Sequence, residues 1–114
     1  MALETRRDDV EAEVRFWALL GFAEVAPPPA LAARSTWVQS GSPATQIHLM
    51  HVEDPMAPPQ GHVAVVCAAY EAVQAALQAA GFEVSERTQH WGAARCFTRS
   101  PGGHRVEVMA APPA

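Results

Sequence analysis

Two stretches of the chain carry apolar residues every three or four positions, and a glycine follows each stretch. The first stripe is Val10, Val14, Trp17 and Leu20, and the second is Tyr70, Val73, Leu77 and Ala80. This spacing places the apolar side chains on one face of a helix, and glycine is favoured just past a helix end. The pattern predicts helices at residues 9–20 and 70–80, with Asp9 as the N-cap of the first.

Short runs that alternate apolar and polar residues predict β-strands before and after each helix. One strand precedes each helix, at residues 3–7 and 62–67. Three strands follow the first helix, at residues 22–26, 35–39 and 46–51, and three follow the second, at 82–87, 94–99 and 104–109. Each half therefore has the order βαβββ, and a Pro-rich link at 52–60 joins the two halves.

The two halves are also similar in sequence. Gly21-Phe22 recurs as Gly81-Phe82, and residues 35–40 align with 95–100 at the same offset of 60, whereas 46–50 align with 105–109 at 59. Such self-similarity indicates a tandem duplication. We therefore predict an α+β fold in which two tandem βαβββ modules form a curved mixed sheet around a groove. Residues 1–114 are predicted to be one domain, with modules at 1–51 and 61–110.

Strand alternation turns three polar side chains away from the predicted helices. Valine, isoleucine or leucine suits the helix side at positions 63 and 65, at 106 and 108, and at 47 and 49. His62, Glu107 and His48 then face the other way. Two histidines and a carboxylate are a usual ligand set for Zn²⁺, Ni²⁺, Fe²⁺, Mn²⁺ or Co²⁺. The sequence therefore predicts that these three side chains converge on one divalent metal ion.

Several short phrases, in this order and at these spacings, are similar to those of the vicinal-oxygen-chelate superfamily, which comprises glyoxalases, bleomycin-resistance proteins and dioxygenases. The phrases are Phe16-Trp17 with Leu20-Gly21-Phe22, Gly61-His62-Val63-Ala64, and Ser100-Pro-Gly-Gly-His-Arg-Val-Glu107-Val-Met. The resemblance covers nearly the whole chain. It implies metal ligands on the first and last strands of each half, so that His62 and Glu107 match family ligands. His48 takes the place that glyoxalases fill with Glu.

The resemblance also implies a fourth ligand on the first strand, and the offset of 60 points to Ala2. The side chain of alanine cannot bind a metal. Four alternatives stay open: a three-ligand site, a protein that has lost its metal, a natural chain that begins upstream, or a ligand formed by the amine of Ala2 after removal of Met1.

Four further residues are candidates for binding a substrate. Glu4 shares a strand face with position 2, and Gln46 shares one with His48. Trp91 and Arg95 lie in and after the loop before the seventh strand, where they could clamp a planar or anionic group. By contrast, the pattern predicts that His51 and His104 are solvated at strand ends. It places Trp17, Trp37 and Phe97 in the core.

The resemblance implies a glyoxalase-like function for the predicted site. A divalent metal ion would chelate two adjacent oxygens of a small substrate and act as a Lewis acid, in a reaction of the lyase, isomerase or dioxygenase type. A carboxylate at the edge of the metal, Glu107 or Glu4, would move a proton. The rival interpretation is a metal-free protein of the bleomycin-resistance type, which binds a drug or other small molecule without turnover. Ala2 favours the rival, and the three polar residues in phase oppose it.

Composition narrows the possible partners and the compartment. The chain has 114 residues, a net charge of −4 and no basic run, which argues against a nucleic-acid surface. Its longest uncharged apolar stretch, residues 63–70, is far shorter than a membrane span. Cys67 and Cys96 lie inside apolar runs, which suits buried thiols in the cytoplasm. Open sheet edges favour a homodimer, with modules paired within one chain or exchanged between two.

Overall fold

The structure, a computed structural model, describes residues 1–41 and 44–113 and divides into two compact units, Met1–Ala57 and Pro58–Ala114. The first unit contains strand β1 (Ala2–Thr5), helix α1 (Val10–Leu19) and strands β2 (Ala23–Val25), β3 (Ser35–Ser40) and β4 (Thr45–His51). The second contains strand β5 (His62–Val66), helix α2 (Tyr70–Ala79) and strands β6 (Ser85–Glu86), β7 (Arg95–Arg99) and β8 (Arg105–Met109). The predicted order βαβββ is confirmed in both units.

Each unit contains one mixed four-stranded sheet. The strand orders are β1-β4-β3-β2 and β5-β8-β7-β6. The first strand of each unit runs parallel to the last strand, and the remaining neighbours are antiparallel. A parallel pair needs a long crossover, which here includes the helix, whereas the antiparallel neighbours are joined by shorter connections. The α+β fold class predicted from the sequence is confirmed.

The apolar residues of the strands are buried on one face of each sheet, which we call the apolar face. In the first unit Val38, Ile47 and Leu49 are at most 1% exposed. In the second unit the buried set is Val63, Val65, Cys96, Val106 and Val108. Burying an aliphatic side chain of this size contributes roughly 1.5–3 kcal/mol each, so this face fixes the phase of every long strand. The neighbouring positions point to the opposite side.

Both helices end in the same way. Gly21 and Gly81 have φ angles of 93° and 92°, a left-handed conformation that glycine adopts without steric cost. In both units the amide of the next residue, a phenylalanine, donates to a helix carbonyl 3.0 Å away, on Trp17 or Leu77. Asp9 is the N-cap residue of α1, as predicted. It is also the last residue of a 3-10 turn, and its side chain makes no capping hydrogen bond.

The strand register shows that the two units differ at their first strands. Ala2 pairs with His48, and Ala64 pairs with Glu107. Because His48 and Glu107 are repeat counterparts, Ala2 corresponds to Ala64 and not to His62. Equivalent residues of the two units are therefore 62 positions apart in the first strands and 60 positions apart in the helices. The connection from β1 to α1 is two residues longer, and it contains the 3-10 turn Arg7–Asp9. The inference that position 2 takes the place of His62 is wrong.

Three further expectations need correction. Trp37 and Phe97 are half-buried and lie opposite the apolar face, because the phase set by Val38 and Cys96 turns them the other way. His104 is only 4% exposed, since it precedes β8 in a hairpin turn where its backbone amide donates to Ser100 Oγ. Trp17 is fully buried, as predicted. The loop in which the repeat offset changes to 59 includes Ser42 and Pro43, which lie outside the described residues.

Candidate functional site

Five side chains with hydrogen-bonding or aromatic character share the face of the second sheet that is opposite its apolar face. These residues, which we call the charged face, are His62, Arg95, Phe97, Arg105 and Glu107. The register brings them together, because Phe97 pairs with Glu107 across β7 and β8, and His62 pairs with Arg105 across β5 and β8. Three different strands therefore contribute to one cluster, and strand alternation alone points them to the same side.

Glu107 is at the centre of the charged face. Its side chain is only 9% exposed, and each carboxylate oxygen has a different partner. Oε1 lies 3.1 Å from Nε2 of His62, and Oε2 accepts a hydrogen bond of 2.8 Å from a terminal nitrogen of Arg95. A buried carboxylate is costly unless it is paired and hydrogen-bonded. Glu107 meets both conditions with residues of its own unit.

Both ring nitrogens of His62 face oxygen atoms that can accept a hydrogen bond. Its Nδ1 lies 3.2 Å from the carbonyl oxygen of Gln60, while its Nε2 faces the carboxylate of Glu107. A neutral imidazole has one N–H, so it can donate to only one of these two acceptors. Which of the two contacts is a hydrogen bond therefore depends on the tautomer of the ring. Phe97 contacts the ring edge-on, with 5.1 Å between the centroids.

Arg95 and Trp91, predicted to act together, are neighbours. The guanidinium carbon of Arg95 lies 5.9 Å from the Trp91 ring centroid. Arg95 also donates through Nε to the carbonyl of Thr88 at 2.7 Å, and Trp91 donates to the carbonyl of Ala111 at 2.9 Å. Arg95 thus bonds to a loop carbonyl and to Glu107, so its first role is to hold that carboxylate in place.

The first unit places His48 against an aromatic ring and a side-chain amide. Its ring stacks on Trp37 with centroids 3.8 Å apart and an angle of 5° between the planes. Its Nε2 lies 3.1 Å from Oε1 of Gln46, and Gln46 donates in turn to Gln39 at 2.7 Å. Burial lowers the pKa of His48 below its ordinary value, and the positive N-terminal amine lowers it further. The neutral imidazole, which is the form that binds metals, is therefore favoured.

Glu4 lies on β1, where it pairs with Met50 of β4. Its side chain is exposed, and Oε1 accepts a hydrogen bond of 2.9 Å from the backbone amide of Met56 in the Pro-rich link. The predicted site residues are thus found in two places. His62, Glu107, Arg95 and Trp91 lie together in the second unit, whereas His48 and Gln46 lie together in the first. Within either unit, the described residues include no group of three His, Cys, Asp or Glu side chains that could hold a metal ion.

The sequence analysis missed Arg105, Trp37 and Phe97 as members of these clusters. The signal that identifies them is strand phase, since each lies two positions from a candidate or directly across from one. It also missed Glu13, which is fully buried on α1 and accepts a hydrogen bond of 3.0 Å from the indole of Trp17. The spacing of four residues predicts that contact. Its role is structural.

Neither helix of the described chain is long and apolar enough to cross a membrane.

Among curated proteins, no match to the sequence was found. Similar solved structures include a protein from Bacillus anthracis described as of the glyoxalase family, at 21% identity and a TM-score of 0.81, covering 95% of this chain and 88% of that one. A lactoylglutathione lyase from Agrobacterium tumefaciens is similar at 20% identity and a TM-score of 0.69, and the match covers 96% of this chain and 89% of that one. A fosfomycin resistance protein from Listeria monocytogenes is similar at 14% identity and a TM-score of 0.75, and the match covers 97% of this chain and 87% of that one.

These likenesses show the fold and leave the reaction open, because each of the three identities is below a quarter. The family comparison extends further. A family model matches residues 3–108, which is nearly the whole chain. The matched range includes all the strands and both helices of the two βαβββ units except the first and last residue of the strands at its ends. The chain therefore belongs to the Glyoxalase/Bleomycin resistance protein/Dioxygenase superfamily.

Proposed function

We propose that this chain is a metal-dependent enzyme of the superfamily, of the lyase, isomerase or dioxygenase type. It would chelate two adjacent oxygen atoms of a small substrate on one divalent ion, such as Zn²⁺, Ni²⁺, Fe²⁺, Mn²⁺ or Co²⁺. His62 and Glu107 would bind the ion from the second unit, with His48 of the first unit as the third ligand. The bound ion would supply Lewis-acid polarisation of the substrate oxygens.

The observation that carries the proposal is the pair formed by His62 and Glu107. Nε2 and Oε1 are 3.1 Å apart, and the other ring nitrogen of His62 faces a carbonyl oxygen. Metal–ligand bonds of roughly 2.0–2.2 Å allow two donor atoms at this separation to bind one ion. A cation there would also leave the N–H of Nδ1 free to donate to Gln60. This is the second-sphere hydrogen bond that metal-binding histidines usually make.

The neighbouring residues have supporting roles in this proposal. Arg95 holds Oε2 of Glu107 and so turns Oε1 toward His62. In addition to binding the ion, Glu107 would be the group nearest the substrate that can accept a proton. His48 supports the proposal through its lowered pKa, which favours the neutral ring. To bind an ion through Nε2, His48 must exchange its contact with Gln46.

The test is metal binding by the purified protein, measured by elemental analysis and by calorimetric titration with each ion. We expect about one ion per chain and an affinity that falls as pH drops through about 6.5, where histidine gains its proton. His62→Ala should weaken binding by more than about 100-fold, because it removes a ligand. His90→Ala changes an exposed histidine of the same unit and is the matched control. Equal affinities for the two variants, or no ion bound at pH 8, would reject the proposal.

A second function has an observation of its own in favour. Glu107 already has an ion-pair partner in Arg95 and a second contact with the ring of His62, so this buried carboxylate needs no metal to be stabilised. This favours the metal-free interpretation, in which the protein binds a small molecule or drug without turnover. The metal analysis separates the two, because the second function requires that the protein without metal still binds small molecules.

We also propose that the protein is a homodimer. Strands β1 and β5 lie at sheet edges within their units, and unpaired edges of this kind are usually covered by another chain or segment. Sedimentation equilibrium at micromolar concentrations should give about twice the mass of 12.2 kDa that the sequence predicts for one chain. A monomer across that range would contradict the proposal.

A further inference from the structure

Three arginines surround one aromatic ring on the charged face. The guanidinium carbons of Arg105, Arg87 and Arg95 lie 4.0, 5.1 and 5.7 Å from the ring centroid of Phe97. Arg95 is paired with Glu107. Among the residues that the structure describes, no carboxylate forms an ion pair with Arg87 or Arg105. Two positive charges beside one ring are therefore left without a negative partner.

A cavity of about 480 Å³ in the second unit opens beside this group. Its wall includes Arg87, Arg99 and Arg105, and Glu83 is its one acidic residue. Ser85 and Gln60 are among its polar residues, and Phe82 and Phe97 among its apolar ones. The volume is within the range of roughly 300–1,000 Å³ that is typical of small-molecule sites. The charged residues of the wall are thus mostly positive, although the net charge of the chain is −4.

The arginines are held by contacts that leave donor groups free. Arg105 stacks over Phe97 and donates one N–H to Oε1 of Gln60 at 3.3 Å. Arg99 donates one N–H to the carbonyl of Gly103 at 3.1 Å. A guanidinium has five N–H donors in a planar fork that matches two oxygens of a carboxylate or phosphate. Like charges on one cavity wall repel one another, and an anion in the cavity would offset that repulsion.

The alternative is that these are ordinary solvated arginines on a surface. Two features argue against it. All eight cationic side chains of the protein are arginines, and four of them, Arg87, Arg95, Arg99 and Arg105, lie on this part of the second unit. The equivalents of Arg99 and Arg105 in the first unit are the neutral Gln39 and Gln46, so the fold does not require charge at these positions.

We propose that this cavity is an oxyanion site, which binds the carboxylate or phosphoryl group of a small ligand through Arg87 and Arg105, with Arg99 at its rim. The proposal that this site binds the substrate rests on the proposed function. Anion binding itself needs no metal. The head group would lie one side chain away from His62, because Phe97 lines the cavity and its ring contacts that of His62.

The test uses the full chain in the presence of a chelator, so that a failure of the metal proposal does not affect the result. Inorganic phosphate and benzoate are titrated separately at constant ionic strength, with chloride as the reference anion, by calorimetry and by thermal unfolding. We expect saturable binding and a higher melting temperature with one or both probes, since a ligand that binds the native state stabilises it. Binding of phosphate alone identifies a phosphoryl site, and binding of benzoate alone identifies a carboxylate site.

Variants then locate the binding. Arg87→Gln and Arg105→Gln should each weaken it by about tenfold or more, a loss typical of a charge-assisted hydrogen bond. Arg99→Gln provides an independent check, because it removes a rim contact and leaves the stacked Arg105 in place; it should weaken binding by a smaller factor. Arg15→Gln, on the exposed surface of α1, is the matched control and should bind as the unmodified protein does. Binding no stronger than that of chloride, or unchanged affinity in folded Arg87→Gln and Arg99→Gln proteins, would overturn the proposal.

Discussion

The two units use the same positions of the same scaffold for different chemistry. In the first unit these positions carry neutral side chains, joined by ring stacking and a chain of amide hydrogen bonds. In the second they carry charges, joined by ion pairs and cation–π contacts. The equivalent residues are Trp37 and Phe97, His48 and Glu107, Gln39 and Arg99, and Gln46 and Arg105.

The difference shows which face of a duplicated sheet is free to change. On the apolar face, Ile47 and Leu49 correspond to Val106 and Val108, and all four are at most 1% exposed. Close packing permits only similar shapes there. The opposite face has no such restriction, because each side chain needs only a suitable neighbour. One half could therefore gain a charged cluster while the other kept a neutral one, without a change of register.

The largest difference between the halves is expected in the core, at the repeat counterparts Trp17 and Leu77. Both are fully buried. Leu77→Ala should cost about 2–5 kcal/mol of unfolding free energy and Trp17→Ala about 3–5 kcal/mol. Trp17→Ala also removes the indole that donates to the buried Glu13, which adds about 1–3 kcal/mol. Urea denaturation of the two variants measures both losses. If Leu77→Ala costs as much as Trp17→Ala, the carboxylate contact contributes nothing.

A smaller difference is expected at the centre of the polar faces. With a chelator present, Glu107→Gln leaves Arg95 and His62 without their buried negative partner and should cost about 3 kcal/mol. His48→Gln removes one neutral hydrogen bond and a ring stack, which should cost about 1 kcal/mol. The same denaturation experiment compares them. Equal losses would mean that the charged cluster is no more coupled to folding than the neutral one.

The comparison also shows how far the sequence leads. The order of elements and the direction of His48, His62 and Glu107 follow from periodicity, because apolar packing fixes the phase of each strand. The change in repeat offset at Ala2, from 60 to 62, does not follow from periodicity. The connection that contains the 3-10 turn before α1 is two residues longer, and this leaves every apolar period unchanged. The contact of Arg95 with Glu107 depends on how β7 pairs with β8, which periodicity leaves open.

The prediction that two aromatic residues lie in the core is wrong for a related reason. Trp37 and Phe97 are large and apolar, so residue type predicted the core, whereas their phase relative to Val38 and Cys96 indicates the opposite face. Phase was the better guide, because a strand cannot turn one residue without turning its neighbours. The burial of His104 depends on the hairpin turn that folds it against Ser100, and strand patterns do not report on turns.

The smallest expected effect is the titration of His48. Its pKa should lie below the ordinary value of about 6.5, first because of burial and second because of the N-terminal amine. Histidine-detected NMR measures the pKa directly. The chain has no lysine, so acetylation in mild conditions modifies the amine of Met1 and removes its charge. The pKa of His48 should then rise but stay below 6.5, because burial is the larger cause.

The same pKa links His48 to stability. A histidine whose pKa is lowered in the folded state holds fewer protons there than in the unfolded state once the pH falls below about 6.5. Stability is therefore complete above that pH and declines as the pH falls toward the folded pKa. Replacing His48 with Gln should remove this part of the pH dependence of unfolding. In the second unit the counterpart is Glu107, so no matching histidine contribution exists at that position. A His48→Gln protein with an unchanged profile between pH 7 and 5 would show that the ring is not shielded by Trp37 and its neighbours as the structure indicates.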